Sequence, residues 1–224
     1  AYSRRYHFPN HWVGDGRDYS AILHADDLAA LIKELGIGPV HVVASSYGAY
    51  TALILAANYP DSCRTLVLGE PPLLLWLKHS PEGATLLETF MKNAWQPARE
   101  AFSQGNLERG VKLFIDGVMG EGVFDQLPAV AQRMMLDNAR EMQAETVTDH
   151  YFSPFTCEDA RKIQVAALLV SGERSPRMFH HITEELAQCL ANAERELIPR
   201  ASHAIHQGNP EAYNRAVLAF LAKH

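Results

Sequence analysis

Val40-His41-Val42-Val43-Ala44-Ser45-Ser46-Tyr47-Gly48-Ala49-Tyr50 is the stretch on which the reading of this chain turns. Residues 40–45 form a short apolar run behind Gly38-Pro39, the pattern of a buried strand. The residues after it, from Tyr47 to Asn58, are rich in Ala and Leu and stop at Tyr59-Pro60, the pattern of a helix. Strand and helix meet at Ser46, with Ala44 and Gly48 two residues to either side. A serine on so sharp a turn carries a strained backbone, and small neighbours let the two elements close together. The turn lifts the Ser46 hydroxyl to a helix N-terminus. There the backbone N–H of Tyr47 can face a developing oxyanion, and the helix dipole favours negative charge. Ser45 is in the wrong register, because Val43 and Tyr47 would then hold the small positions.

Outward from this turn the pattern alternates. Leu28, Leu31, Ile32 and Leu35 share one helical face ahead of the strand, and Gly36 can end that helix. Residues 64–69 read as a second buried strand, 165–172 as a third and 196–199 as a shorter fourth. The last helix has Asn209 as cap, Pro210 in its first turn, and Val217, Phe220 and Leu221 on its apolar face. Continuous apolar strands alternating with helices argue for an α/β fold with a mainly parallel sheet covered on both faces.

Residues 73–162 break that alternation. Helical patterns over 84–103, 106–118 and 128–146 are separated by Gly105, Gly120-Glu121-Gly122 and Pro128. This stretch reads as a helical insertion over one end of the sheet, dividing the core into residues 1–72 and 163–224. Met91, Trp95, Phe102, Phe114, Met119, Met134, Met135 and Met142 lie along its helices. Core packing accounts for most of them, and the remainder are expected to line a pocket.

Composition excludes several classes of function. The 224 residues are 47% hydrophobic and 21% charged, with a formal net charge of −6. A chain of this length buries a full core without staples or metals. Acidic and basic residues are mixed along the sequence, and no basic run grips a phosphate backbone, so nucleic acid is a poor partner. No apolar stretch spans a bilayer, since Leu73 to Leu77 is short and bracketed by Pro72 and Lys78. Cys63, Cys157 and Cys189 are odd in number and have no metal-like spacing; they read as free thiols in a reducing, cytoplasmic setting. His180-His181 has no ligand spacing, and the glycines of 117–122 do not follow a strand, so neither a metal nor a dinucleotide cofactor is expected.

The order of parts resembles the α/β-hydrolase family along the whole chain. Ala1-Tyr2-Ser3-Arg4-Arg5-Tyr6 resembles the end of the family's strand before its first crossing helix. Ser46 occupies the nucleophile elbow, and the insertion falls where the family places its cap. Pro199-Arg200-Ala201-Ser202-His203-Ala204-Ile205-His206, followed by Asn209-Pro210-Glu211, is similar to the histidine loop and final helix. The resemblance makes His203 the base, ahead of His206. The family's acid usually stands in a Gly-X-X-Asp turn after the third strand, but here Gly172-Glu173-Arg174-Ser175 puts serine at that place. Some members carry the acid after the preceding strand, which here reads Leu68-Gly69-Glu70-Pro71-Pro72. Glu70 is therefore the expected acid and Glu173 the alternative. The resemblance also implies a second oxyanion donor and a central strand ahead of Ala1, so the sequence is read as N-terminally truncated.

These residues imply a serine hydrolase that cleaves a small or medium apolar ester through an acyl-enzyme, with Ser46, His203 and Glu70 as its triad. The expected partner is a small-molecule ester or acyl substrate, with no cofactor. A carbon–carbon bond hydrolase and a cofactor-free perhydrolase use the same triad. A non-catalytic ligand binder, or an inactive fragment, is the alternative of another class.

Overall fold

The computed structural model of the chain describes residues 1–12, 16–148 and 154–224. Its centre is a parallel sheet of four strands in the order β1 (Val40–Ser45), β2 (Cys63–Gly69), β3 (Ala166–Gly172) and β4 (Ala193–Ile198). All three pairings are parallel. Helix α1 (Ala21–Leu35) precedes β1; Ser20 caps its start and Gly36, in the left-handed conformation, ends it. Its buried face is Ala21, His24, Ala25 and Ile32, while Leu35, expected inside, is exposed. Helix α2 (Tyr47–Asn58) leaves β1 directly and is buried along nearly its whole length.

Strand periodicity sorts the core into two layers. Leu66 and Leu68 of β2 and Leu169 of β3 point to the face that α2 covers, while Val67, Leu168 and Val170 point to the other, against Val217 and Phe220 of the last helix. On β1 the residues Val42 and Ala44 join the first layer, but Val43 is 46% exposed. It faces the side of the last helix, whose cluster contains residues of β2, β3 and β4 but none of β1.

Between β2 and β3 the described residues form helices, turns and irregular segments but no strand, and residues 149–153 of the expected 73–162 insertion lie outside them. A 3₁₀ turn (Leu74–His79) leads into α3 (Pro81–Phe90), a π turn (Met91–Trp95) and α4 (Gln96–Ser103). Then come α5 (Leu107–Met119), α6 (Val123–Gln126), α7 (Ala129–Asp137), α8 (Ala139–Val147) and α9 (Cys157–Arg161). The helix expected over 128–146 is thus two, broken at Asn138. Phe102, Val111, Ile115 and Phe124 give the insertion a small core of its own. After β3 and β4 come α10 (Arg177–Cys189), α11 (Ile205–Gly208) and α12 (Pro210–Lys223), whose cap is Asn209.

Two further expectations are corrected. Residues 1–6, read as the end of a strand, form none: the segment turns at Arg4–His7 and again at His7–Asn10. Its side chains reach α8 instead, where Arg4 and His7 meet Glu141. The three cysteines are also not all free thiols. Cys157 and Cys189 form a disulfide that joins α9 to the end of α10, with Cα atoms 5.2 Å apart and a sequence separation of 32. The packing of α9 on α10 creates this pair, and nothing in the local sequence announces it. Disulfides persist in oxidising environments, so the case for a reducing compartment loses its basis in the thiols.

Cys63 is the free cysteine, and burial pushes its thiol up to about 11. A thiol-reactive dye should therefore find no fast thiol in the native protein, one after denaturation, and three after denaturation with reductant. A count of three without reductant would remove the disulfide. Among the described residues no helix is long and apolar enough to cross a membrane.

Candidate active site

The candidate residues gather at the C-terminal ends of the strands, where parallel α/β sheets place their ligands. Ser46 sits between β1 and α2 with φ 52° and ψ −125°, a left-handed conformation that is strained for a residue bearing Cβ. The turn is held by the Ser46 N–H, which donates to the Gly69 carbonyl of β2 at 2.6 Å. A Cβ on Gly48 would lie 3.8 Å from that of Ala44, an ordinary contact. The demand for a small residue at 48 is therefore softer than the sequence pattern suggests.

His203 lies in the loop between β4 and α11. Its Nε2 is 2.9 Å from Ser46 Oγ, and its Nδ1 is 2.7 Å from Glu70 Oε2. A carboxylate can only accept, so Nδ1 carries the proton and Nε2 is left to accept from the serine hydroxyl. Phe179, from the first turn of α10, stacks on the imidazole with ring centroids 4.0 Å apart and fixes its plane.

Glu70 follows β2 directly, has φ 46° and is fully buried. Its second oxygen, Oε1, accepts from the Gly172 N–H at 3.0 Å. The parallel register that pairs Gly69 with Val170 brings these two strand ends together. Gly172 is a supporting residue that sequence reasoning missed. A Cβ there would lie 2.6 and 2.7 Å from the carbonyls of Ser202 and Ala201, so only glycine lets the histidine loop lie against the end of β3.

Glu173 is elsewhere: it is exposed and accepts from the Arg200 N–H at 2.7 Å, pinning the start of the histidine loop. Ser175, at the family's usual acid position, is buried, and its hydroxyl has no hydrogen-bond partner among the described residues. His206 is exposed beside Tyr213. Tyr47 opens α2, where a backbone N–H lacks an intrahelical acceptor. Its phenol bonds His24 Nδ1 at 2.9 Å, and burial pushes His24 down to about 4, so that imidazole is neutral at pH 7.

A cavity of about 240 Å³ opens at Ser46, walled mainly by Leu74, Phe90, Trp95, Phe114, Val118 and Met178. Of the insertion residues singled out from sequence, Trp95 and Phe114 line it. Phe102 is core of the insertion, Met119, Met135 and Met142 pack on that core, and Met134 is 53% exposed. The π turn brings Trp95 to the cavity while α5 closes on the same turn at Gly117, where a Cβ would overlap that of Ala94 at 2.1 Å. A larger cavity of about 610 Å³ shares Phe90 and Met178 with the first. Among the described residues no group of three or more His, Cys, Asp or Glu is arranged to hold a metal ion.

Known proteins align over nearly all of this chain. The sequence model of the alpha/beta hydrolase family matches residues 2–216. A bifunctional esterase/perhydrolase of Acinetobacter calcoaceticus is 27% identical over 99% of this chain and 80% of its own length. A 2-hydroxy-6-oxononadienedioate/2-hydroxy-6-oxononatrienedioate hydrolase of Burkholderia vietnamiensis is 24% identical, over 90% of this chain and 68% of its own. Among solved structures, a thermophilic esterase from Thermogutta terrifontis superposes with a TM-score of 0.75 at 20% identity, covering 98% of this chain and 78% of the esterase; that likeness is one of fold.

Proposed function

The chain belongs to the alpha/beta hydrolase family, and from that premise we propose that it is a serine hydrolase of small or medium apolar carboxylic esters. One observation carries the proposal: Ser46, His203 and Glu70 form a single hydrogen-bonded chain that ends in the cavity. As Ser46 Oγ attacks the ester carbonyl, His203 Nε2 takes its proton, and Glu70 stabilises the imidazolium that results. The oxyanion forms beside the Tyr47 N–H at the positive end of α2. His203 then returns the proton to the departing alcohol. Water, deprotonated by the same imidazole, attacks the acyl-Ser46 ester and releases the acid.

The apolar wall of Leu74, Phe90, Trp95 and Phe114 suits an acyl chain of modest length. The larger cavity beyond Phe90 and Met178 leaves room for the alcohol part. The Acinetobacter relative supports a second outcome at the last step, in which hydrogen peroxide replaces water and a peracid leaves.

A fluorophosphonate probe tests the central claim, because it reacts only with a serine whose base is in place. Peptide mapping should locate one adduct, on Ser46. A folded protein that takes no label, or takes it on another residue, would overturn the reading.

A further inference from the structure

Two side chains border both the Ser46 cavity and the larger one of about 610 Å³. They are Phe90 and Met178, 8% and 4% exposed, and they stand as a partition between the two spaces. The larger space is a groove with walls from three elements. Leu86 and Asn93 come from α3 and the π turn, Leu113 and Gly117 lie one helical turn apart on α5, and Met178 belongs to the start of α10. The π turn makes the two spaces distinct. It is closed by the Gln96 N–H, which donates to the Met91 carbonyl five residues back. On an α-helix Phe90 and Trp95 would stand roughly 140° apart. The wider turn brings both rings, with centroids 6.1 Å apart, to the Ser46 cavity, while Asn93 and Ala94 between them line the groove.

The spaces differ in size and in access. A drug-sized ligand needs about 300–1,000 Å³. The Ser46 cavity, at about 240 Å³, falls below that range, and the groove falls within it. Thr89 and Asn93 on the groove are exposed, whereas Leu74, Trp95 and Met178 around Ser46 are buried. The two halves of an ester make different demands. The acyl half stays bonded to Ser46 until water releases it, while the alcohol must leave first and let that water in. The enclosed cavity suits the acyl half, and the open groove suits the alcohol. Thr89, Asp116 and Arg177 on the groove wall use their polar groups within the protein. The Thr89 hydroxyl donates to the Thr85 carbonyl at 2.8 Å, Asp116 accepts from the Phe124 N–H at 2.8 Å, and Arg177 pairs with Glu82. Contact with a ligand there falls mainly to Leu86, Phe90, Leu113 and Met178, which are apolar.

We propose that Phe90 and Met178 set a size asymmetry in the substrate: the chain acts on esters of a short apolar acid with a bulky apolar alcohol, such as an aryl-alkyl alcohol, whose body lies in the groove. The inference rests on the serine-hydrolase reading and narrows its substrate class.

Two isomers with the ester turned around test it: 4-phenylbutyl butyrate and butyl 4-phenylbutyrate. They share one composition, and each joins a primary alcohol to an unbranched acid, so their intrinsic reactivities match closely. Titration of the released acid at constant pH gives the rates. In the wild type kcat/KM should favour 4-phenylbutyl butyrate about 10- to 100-fold, the worth of burying one phenyl-sized group. Asn93→Trp, which fills the groove, should bring that ratio to within a few-fold of one by slowing the favoured isomer. Phe90→Ala, which opens the partition, should do so by speeding the other. A ratio near one or reversed in the wild type would overturn the proposal. So would an unmoved ratio in folded Asn93→Trp, or turnover of p-nitrophenyl butyrate with none of either isomer. Because the wild-type ratio decides by itself, a variant that fails to fold leaves the test intact. If the folded wild type hydrolyses none of the three esters, the serine-hydrolase reading fails separately. The groove is then read by calorimetry with 4-phenylbutan-1-ol: binding that Asn93→Trp or Leu86→Trp abolishes supports the subsite, and no binding, or binding that survives both, overturns it.

Discussion

Ser46→Ala is expected to lower turnover of p-nitrophenyl butyrate on the order of 10⁶-fold while leaving the protein folded. The hydroxyl is the atom that bonds to the acyl group in the proposed reaction, and no neighbour can take its place. Ser45, next in line, belongs to the strand, and its Oγ faces Gly69 rather than the histidine. The variant keeps the Cβ and the hydrogen bond from residue 46 N–H to Gly69, so the strained turn should persist. Circular dichroism and the unfolding midpoint would verify that. Residual hydrolysis would come from the Tyr47 N–H, the dipole of α2 and substrate binding, which survive loss of the nucleophile. A fall of less than about tenfold, well short of the triad benchmark, would mean that the chemistry lies elsewhere.

Glu70→Gln should cost on the order of 10⁴-fold in kcat, whereas Glu173→Gln should stay within a few-fold of the wild type. Glutamine keeps the shape of Glu70 and can still accept from the Gly172 N–H through its carbonyl. Its amide N–H₂ then faces His203 Nδ1 and favours the tautomer with the proton on Nε2, the nitrogen that must accept from Ser46. The imidazolium formed during attack would also lose its buried counter-charge. Glu173 anchors the histidine loop through the Arg200 N–H, a bond that the glutamine carbonyl can accept as well. Equal losses in the two variants would mean that the substitutions loosen the loop rather than remove an acid.

These variants also separate what could be read locally from what could not. Ser46 stands out because the features that mark it lie within five residues: a strand, small neighbours and a helix start. His203 and Glu70 have no such local mark, and the order of parts in the family pointed to them. The choice between Glu70 and Glu173 could not be made from spacing, because each glutamate immediately follows a buried strand. The register of β2 on β3 turns one inward to His203 and Gly172 and leaves the other outward against Arg200.

Contacts between distant segments were invisible in the same way. Cys157 and Cys189 meet because α9 packs on α10, and the disulfide replaces the thiols expected from an odd cysteine count. Arg4 reads as part of a strand end, yet its guanidinium crosses 137 residues of sequence to Glu141. Glu145, which no sequence pattern singled out, lies in the wall of the cavity.

The sequence by itself determined the order of strands and helices, the insertion between the second and third strands, and the turn that carries Ser46. All of these follow from periodicity, glycine and proline punctuation, and side-chain size, which act over a few residues. Tertiary structure alone decided how Glu70, the acid already expected, comes to meet His203, which cysteines pair, and which side chains line the cavity. Those depend on strand register and helix packing, which bring together groups that no local pattern relates.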